Sequence, residues 1–230
     1  MTRHWRWLFA VALLVGAAVP FVLGGQQVLA RLVTVPVGWL ALLVAMIAVC
    51  WNLNAWRLRL MLNGRAPGLG HGAAVATVMA TEFTLNATPG GSGAPFTLAA
   101  LLRRRGLEET LAVPRRRLLL MFSLCLCHWL LRYSVIYVAV LALGEHLDWV
   151  YGFFVQMVAM GAGHLTLLPG GAGGAEVAGA ALLNPWLTSV TTATTIVVWR
   201  FFTFYWYLLA GGAVMLWLAA RTGQPLLDGK

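Results

Sequence analysis

The chain has 230 residues, of which 60% are hydrophobic and only 10% charged, with a mean hydropathy of +0.81. No soluble domain of this size carries that composition, and a bilayer core of about 30 Å needs about 20 apolar residues per helical crossing, so the length allows roughly five or six such segments. The net charge of +9 does not point to nucleic acid, because the basic residues sit in short clusters between apolar runs. Cys50, Cys125 and Cys127 lie inside apolar segments with no histidine or second pair at metal-ligand spacing. A disulfide framework and a zinc site are therefore not expected, and no cofactor is implied.

In chain order, Arg3 and Arg6 precede the apolar stretch 7–23. It could pass for a signal peptide, but a small-residue cleavage site is missing, and it reads as a retained first helix. Uninterrupted spans follow at 37–56, 118–143 and 188–219, with helix the default for each. Two further apolar regions, 71–102 and 149–183, are broken near their middles by proline and glycine. Trp39, Trp149 and Trp186 near span ends need only interfacial anchoring.

Basic residues place the loops. Arg3 and Arg6, then Arg57, Arg59 and Arg65, the triplets 103–105 and 115–117, and Arg221 with Lys230 mark cytoplasmic segments by the positive-inside rule. Residues 24–36, with Arg31 alone, and the short loop around Glu145 and Asp148 are the outer ones. Both termini are then cytoplasmic, in a cytoplasmic (inner) membrane crossed several times. Since Arg65 and Arg103 lie on one side, region 71–102 must enter and return as a re-entrant hairpin, and region 149–183 does the same from outside.

The breaks repeat. Thr84-Leu-Asn-Ala-Thr-Pro-Gly-Gly-Ser-Gly aligns with His164-Leu-Thr-Leu-Leu-Pro-Gly-Gly-Ala-Gly, so both hairpin tips read Pro-Gly-Gly-x-Gly. The helix after each also repeats: Arg132-Tyr, Tyr137 and Leu141-Ala142-x-Gly144 parallel Arg200-Phe, Tyr205 and Leu209-Ala210-x-Gly212. The expected architecture is an all-α integral membrane protein, a polytopic helical bundle with two opposed re-entrant helical hairpins in an inverted repeat. It forms a single membrane domain, 1–230: two N-terminal transmembrane helices (1–70), a first repeat of hairpin plus helix (71–144), a second (145–221) and a cytoplasmic tail (222–230). Inverted repeats of this kind are common in secondary transporters, with the binding site where broken helices meet.

At the tips, Pro89, Gly90, Gly91 and Gly93, and Pro169, Gly170, Gly171 and Gly173, let the backbone turn and leave N–H groups at the start of the second arm unpaired, which attracts anions. Pro95 suits the first turn of its arm. Glycines that merely let helices pack closely in lipid are the structural alternative. Arg132 and Arg200 lie within apolar spans, where a charge costs roughly 2.5 to 3.5 kcal/mol and needs a partner or a wet cavity. Two guanidinium groups facing paired tips suit a phosphate. Equally, they can pair with Glu82 and Glu176, the acidic residues inside the apolar regions. Glu176 sits in the first turn of its half-helix, where a carboxylate caps well, and it and Glu82 are candidates for charge coupling. His128 and His164 fit hydrogen-bonded packing better than a proton relay. The threonines of 188–195 can line a polar path or bond backbone carbonyls.

At these residues the chain resembles the flippase-like family that includes the transmembrane (flippase) domain of lysylphosphatidylglycerol synthase. The resemblance rests on Asn86-x-x-Pro-Gly-Gly-x-Gly, on Leu168-Pro-Gly-Gly-x-Gly-x-x-Glu176 and on Arg200, and spans about residue 51 to the C-terminus. It implies movement of a lipid with a charged or phosphate head between leaflets. The first motif of the family usually carries an acidic residue soon after the glycines, where this chain has Ala94-Pro95. No aminoacyl-transferring domain lies within these residues, so synthesis of lysyl-lipid is not expected.

The leading expectation is a lipid translocase moving an anionic phospholipid or polyprenyl-phosphate-type lipid, not an enzyme, with membrane lipids and a homo-oligomer or envelope enzyme as partners and no nucleic acid. The alternative is a non-catalytic membrane subunit or scaffold for a lipid or cell-envelope enzyme, docking through the arginine-rich loop 103–117 or binding anionic lipid there. An intramembrane enzyme is disfavoured because no serine, histidine and acid converge on one tip.

Overall fold

A computed structural model describes residues 3–62, 69–103 and 115–222. Among them the regular elements are helices: α1 (Arg3–Gly24), α2 (Gln27–Val33), α3 (Val37–Leu62), α4 (His71–Ala87), α5 (Gly93–Arg103), α6 (Arg115–Tyr133), α7 (Val135–Ala142), α8 (Trp149–Leu165), α9 (Gly174–Leu183), α10 (Ser189–Arg200), a π-helical segment (Phe201–Tyr205) and α11 (Trp206–Thr222). Arg65, Arg104, Arg105 and the 223–230 tail fall outside the described residues, as does most of the arginine-rich loop.

Four helical stretches among the described residues are long and apolar enough to cross a membrane: Trp7–Gly24, Val37–Leu62, Arg116–Ala142 and Ser189–Arg221. They overlap the four uninterrupted spans of the sequence, except that α3 runs six residues beyond 56 and takes Arg57 and Arg59 into the helix, and the chain is a helical membrane protein. The two interrupted regions became pairs, α4 with α5 and α8 with α9, each packed side by side. With 11 and 10 residues, α5 and α9 are only about 15 Å long, half a bilayer core.

Local chemistry explains where the helices start and stop. Asp148 accepts the N–H of Tyr151 at 3.1 Å and caps α8; Thr188 accepts that of Thr191 at 3.2 Å and caps α10. Pro36 precedes α3 and Pro185 follows α9, positions where a missing N–H interrupts no ladder. On the outside of the bundle Leu14, Val22, Leu119 and Leu216 are exposed, as lipid-facing residues are in a structure whose backbone bonds are closed internally.

Helix α3 packs on α6 and α4, α11 on α4, and α1 on α10. The α4–α11 contact depends on a small residue: a Cβ on Gly211 would lie 2.6 Å from the carbonyl oxygen of Met79 and 2.8 Å from the Phe83 Cβ. With lipid as apolar as leucine, close backbone approach supplies much of the adhesion. Leu43, Ile47, Ile136, Ile196, Trp199 and Tyr207 fill the core between these helices.

Both arginine-bearing spans are interrupted just after their arginine. The α6–α7 span breaks at Ser134, two residues beyond Arg132, and α10 turns into the π segment directly after Arg200. At the first break Gln156, fully buried on α8, mends the ladder: its Nε2 donates to the Arg132 carbonyl at 2.6 Å and its Oε1 accepts the Ile136 N–H at 2.9 Å.

Candidate functional site at the helix breaks

The two Pro-Gly-Gly breaks touch. Pro89 and Pro169 form an isolated antiparallel bridge, so the tips of the α4–α5 and α8–α9 pairs meet inside the bundle. Gly90, Gly91, Gly170, Gly171 and Gly173 all have positive φ, between 56° and 83°, a region a side chain rarely adopts. Space adds a second constraint at two of them: a Cβ on Gly171 would sit 2.8 Å from the Cα of Gly163, and one on Gly170 would run into the Phe204 ring.

The N–H groups expected to be unpaired at the tips are mostly turned inward. Gly91 donates to the Thr88 carbonyl at 3.1 Å and Gly93 to the Thr88 hydroxyl at 2.8 Å; Gly171 donates to Leu168 at 2.9 Å and Gly173 to Glu176 Oε2 at 2.7 Å. A buried N–H without water close by takes the nearest acceptor, and the tips contain their own. What the site can offer an anion therefore comes chiefly from the arginines.

Those two arginines differ. Arg200, with 1% of its surface exposed, is closed: Nε donates to Glu176 Oε1 at 2.6 Å, Nη2 donates to the Gly170 carbonyl at 3.0 Å, and the guanidinium lies 4.8 Å from the Phe204 ring centre. Glu176 uses its second oxygen on Gly173, so one carboxylate ties the tip, its half-helix and the final span together. Helix α1 closes over it at Gly16, where a Cβ would stand 3.1 Å from both Glu176 Oε1 and the Tyr205 hydroxyl.

Arg132, 6% exposed, is open. Its Nη2 reaches the Thr203 carbonyl of the π segment at 3.5 Å, at the outer limit of a hydrogen bond. Its guanidinium lies 4.3 Å over the Tyr207 ring, and Nη1 is buried with no partner. Among the described residues the ion pairs are Arg31–Glu145 and Arg200–Glu176 only; the alternative that both arginines pair internally holds for Arg200 and not for Arg132. Glu82 instead accepts Asn54 Nδ2 at 3.4 Å.

Arg132 borders a cavity of about 60 Å³ between the tips, with Asn86, Gly90, Gly91, Gly170, Gly171 and His164 around it. That is room for a few waters and not for a lipid head group. The structure thus brings Pro89, Gly90, Gly91, Pro169, Gly170, Gly171 and Arg132 to one point. Gly93 and Gly173 begin the half-helices just behind it, Arg200 and Glu176 brace one side, and Glu82 stands one turn of α4 away beside a second cavity. His128 is buried against the Cys50 carbonyl, 3.4 Å from its Nδ1. His164 bonds the Met160 carbonyl at 2.7 Å while bordering the cavity. Of the threonines, Thr188 caps, Thr194 bonds the Val190 carbonyl at 2.7 Å, and the Thr192 and Thr195 hydroxyls are buried without a partner.

Sequence reasoning missed Gln156, Asn54, Tyr207 and Gly16. Gln156 is the lone amide of an apolar helix, and such a residue inside a membrane span announces a hydrogen-bonding duty. Tyr207 and Gly16 carry no such signal. No curated protein and no solved structure is significantly similar to the chain. A family model does match, over residues 9–114 and 108–211, which together take in nearly the whole described bundle and both Pro-Gly-Gly breaks. The chain belongs to the family described as the lysylphosphatidylglycerol synthase TM region.

Proposed function

We propose that the protein is a lipid translocase, moving a phosphate-bearing lipid between leaflets with the head group held at Arg132 and the acyl chains left in the bilayer. In this reading α4–α5 and α8–α9 are re-entrant hairpins of an inverted repeat, entering from the cytoplasmic and outer faces and meeting at Pro89 and Pro169. The observation that carries it is Arg132: a charge buried in a membrane span, without a carboxylate, whose Nη1 has no partner and which borders the cavity between the tips. A cation so placed costs roughly 2.5 to 3.5 kcal/mol on insertion scales, and a phosphate oxygen would offset that through charge-assisted hydrogen bonds. Membership of a family built around a lipid-modifying enzyme's membrane region supports lipid as the cargo.

The small cavity belongs to a closed form. Opening requires the tips to separate, and the Arg200–Glu176–Gly170 set holds the second tip in place. Glu176 thereby controls when Arg200 is free to join Arg132 on a phosphate. The termini and the basic loop lie in the cytoplasm and the membrane is the cytoplasmic one.

The test is leaflet exchange of labelled anionic and zwitterionic phospholipids in proteoliposomes, wild type against Arg132→Gln, with protein-free liposomes as background. Exchange above background that collapses in the variant is the expected result. Exchange by Arg132→Gln at the wild-type rate overturns the mechanism, and no exchange of any lipid by folded wild type overturns the function.

A further inference from the structure

We infer that the cavity bounded by α3, α4 and α5 is a second head-group subsite, which takes the primary ammonium of a zwitterionic phospholipid whose phosphate is held at Arg132. The inference rests on the translocase reading and names the lipid class it acts on. This cavity is the roomier one, about 200 Å³, and Asn54, Arg57, Thr81 and Glu82 form its polar side.

Its polar groups are unfinished in one direction. The Glu82 carboxylate faces Asn54 Nδ2 at 3.4 Å, and since an amide can turn only its NH₂ to a carboxylate, Oδ1 must point the other way. Asn54 is only 7% exposed and its Oδ1 is buried without a donor. A carboxylate that one amide reaches only at 3.4 Å keeps most of its acceptor capacity, and a primary ammonium brings the several N–H donors that would fill it.

The charges select further. Arg57, donating to Cys125 Sγ at 3.3 Å, stands at the same cavity. With Glu82 it leaves the cavity neutral, so an isolated cation would meet a guanidinium and an isolated anion would meet a carboxylate. A head group carrying one charge of each sign meets neither conflict. Thr81 and Glu82 border this cavity and Leu85 and Asn86 border the one beside Arg132. Four residues of helix are about 6 Å, the scale of a phosphate and an ammonium joined by two carbons. Acceptors for the ammonium and a donor for the phosphate thus border cavities about one turn of α4 apart.

The test compares leaflet exchange of three lipids with identical acyl chains in proteoliposomes: phosphatidylethanolamine, phosphatidylcholine and phosphatidylglycerol. All carry the phosphate, and only the first carries an ammonium with N–H donors. Wild type is expected to move the ethanolamine lipid about tenfold faster than the choline lipid, the effect of one charge-assisted hydrogen bond. That ratio is expected to fall close to one in Glu82→Gln and in Asn54→Leu, each checked for a monodisperse gel-filtration peak. Equal wild-type rates for ethanolamine and choline lipids, preference for phosphatidylglycerol, or an unchanged ratio in both variants overturns the subsite and leaves the translocase standing. No wild-type exchange of any of the three overturns the translocase and this inference with it.

Discussion

Replacing Glu176 by glutamine removes one charge and one acceptor from a carboxylate that uses both oxygens. Oε1 takes Arg200 Nε at 2.6 Å and Oε2 takes the Gly173 N–H at 2.7 Å. Glutamine has a single acceptor, so whichever bond it keeps, its NH₂ faces a donor at the other. Keeping the Arg200 bond leaves the Gly173 N–H without its acceptor, about 1–3 kcal/mol for a buried group. In either orientation the Arg200 cation, 1% exposed, loses its counter-charge and retains only the Gly170 carbonyl and the Phe204 ring. Removing one partner of a buried pair costs about 3–5 kcal/mol in total, a hundredfold or more in the folded-to-unfolded ratio. Unfolding in mixed micelles with increasing denaturing detergent, followed by tryptophan fluorescence, measures it directly. Glu176→Leu combined with Arg200→Met is expected to recover part of that loss, because an apolar pair of similar volume leaves no orphaned charge, although the Gly173 N–H and the Gly170 carbonyl lose their partners. Stability of Glu176→Gln within about 1 kcal/mol of wild type, or a double variant no better than the single, refutes the reasoning.

Arginine replacements at the two sites are expected to diverge in the same assay. Arg200→Met orphans the Glu176 carboxylate and destabilises by about 3–5 kcal/mol, whereas Arg132→Met loses the Tyr207 ring contact, about 2 kcal/mol for a desolvated cation, and offsets it by relieving an unpaired buried cation, leaving stability near wild type while exchange is lost. Equal destabilisation by both would remove the distinction between a structural and a functional arginine. Gln156→Leu strands the Arg132 carbonyl and the Ile136 N–H at the break between α6 and α7; a loss of about 2–4 kcal/mol is expected, with faster hydrogen exchange at Ile136. Gly211→Val drives a branched side chain into the Met79 carbonyl and Phe83. It should separate α4 from α11, lowering the thermal midpoint in detergent, while Gly72→Ala, where an added Cβ meets nothing within 4 Å, should not.

Amino-acid type alone determined the solvent this chain lives in. Hydropathy and the lack of charge located three of the long spans to within about two residues and the start of the fourth, whose helix runs on through Arg57 and Arg59 to Leu62, because in hydrocarbon a helix must satisfy its own backbone and only an apolar face can meet lipid. Proline and glycine at 89–93 and 169–173 likewise announced the two breaks, since the conformations required there exclude most side chains. What those residues could not convey is pairing. Arg132 and Arg200 read alike in sequence, and only the tertiary structure decided that Glu176 reaches one of them while Glu82 is held by Asn54. Nor was the fate of the tip N–H groups legible, because Thr88 and Glu176 compete for them at distances set by how each half-helix folds back. Periodicity and composition report what a residue does with its solvent and its near neighbours. Which distant groups share a buried site depends on helix packing across the bundle, and there a shift of one turn exchanges one partner for another.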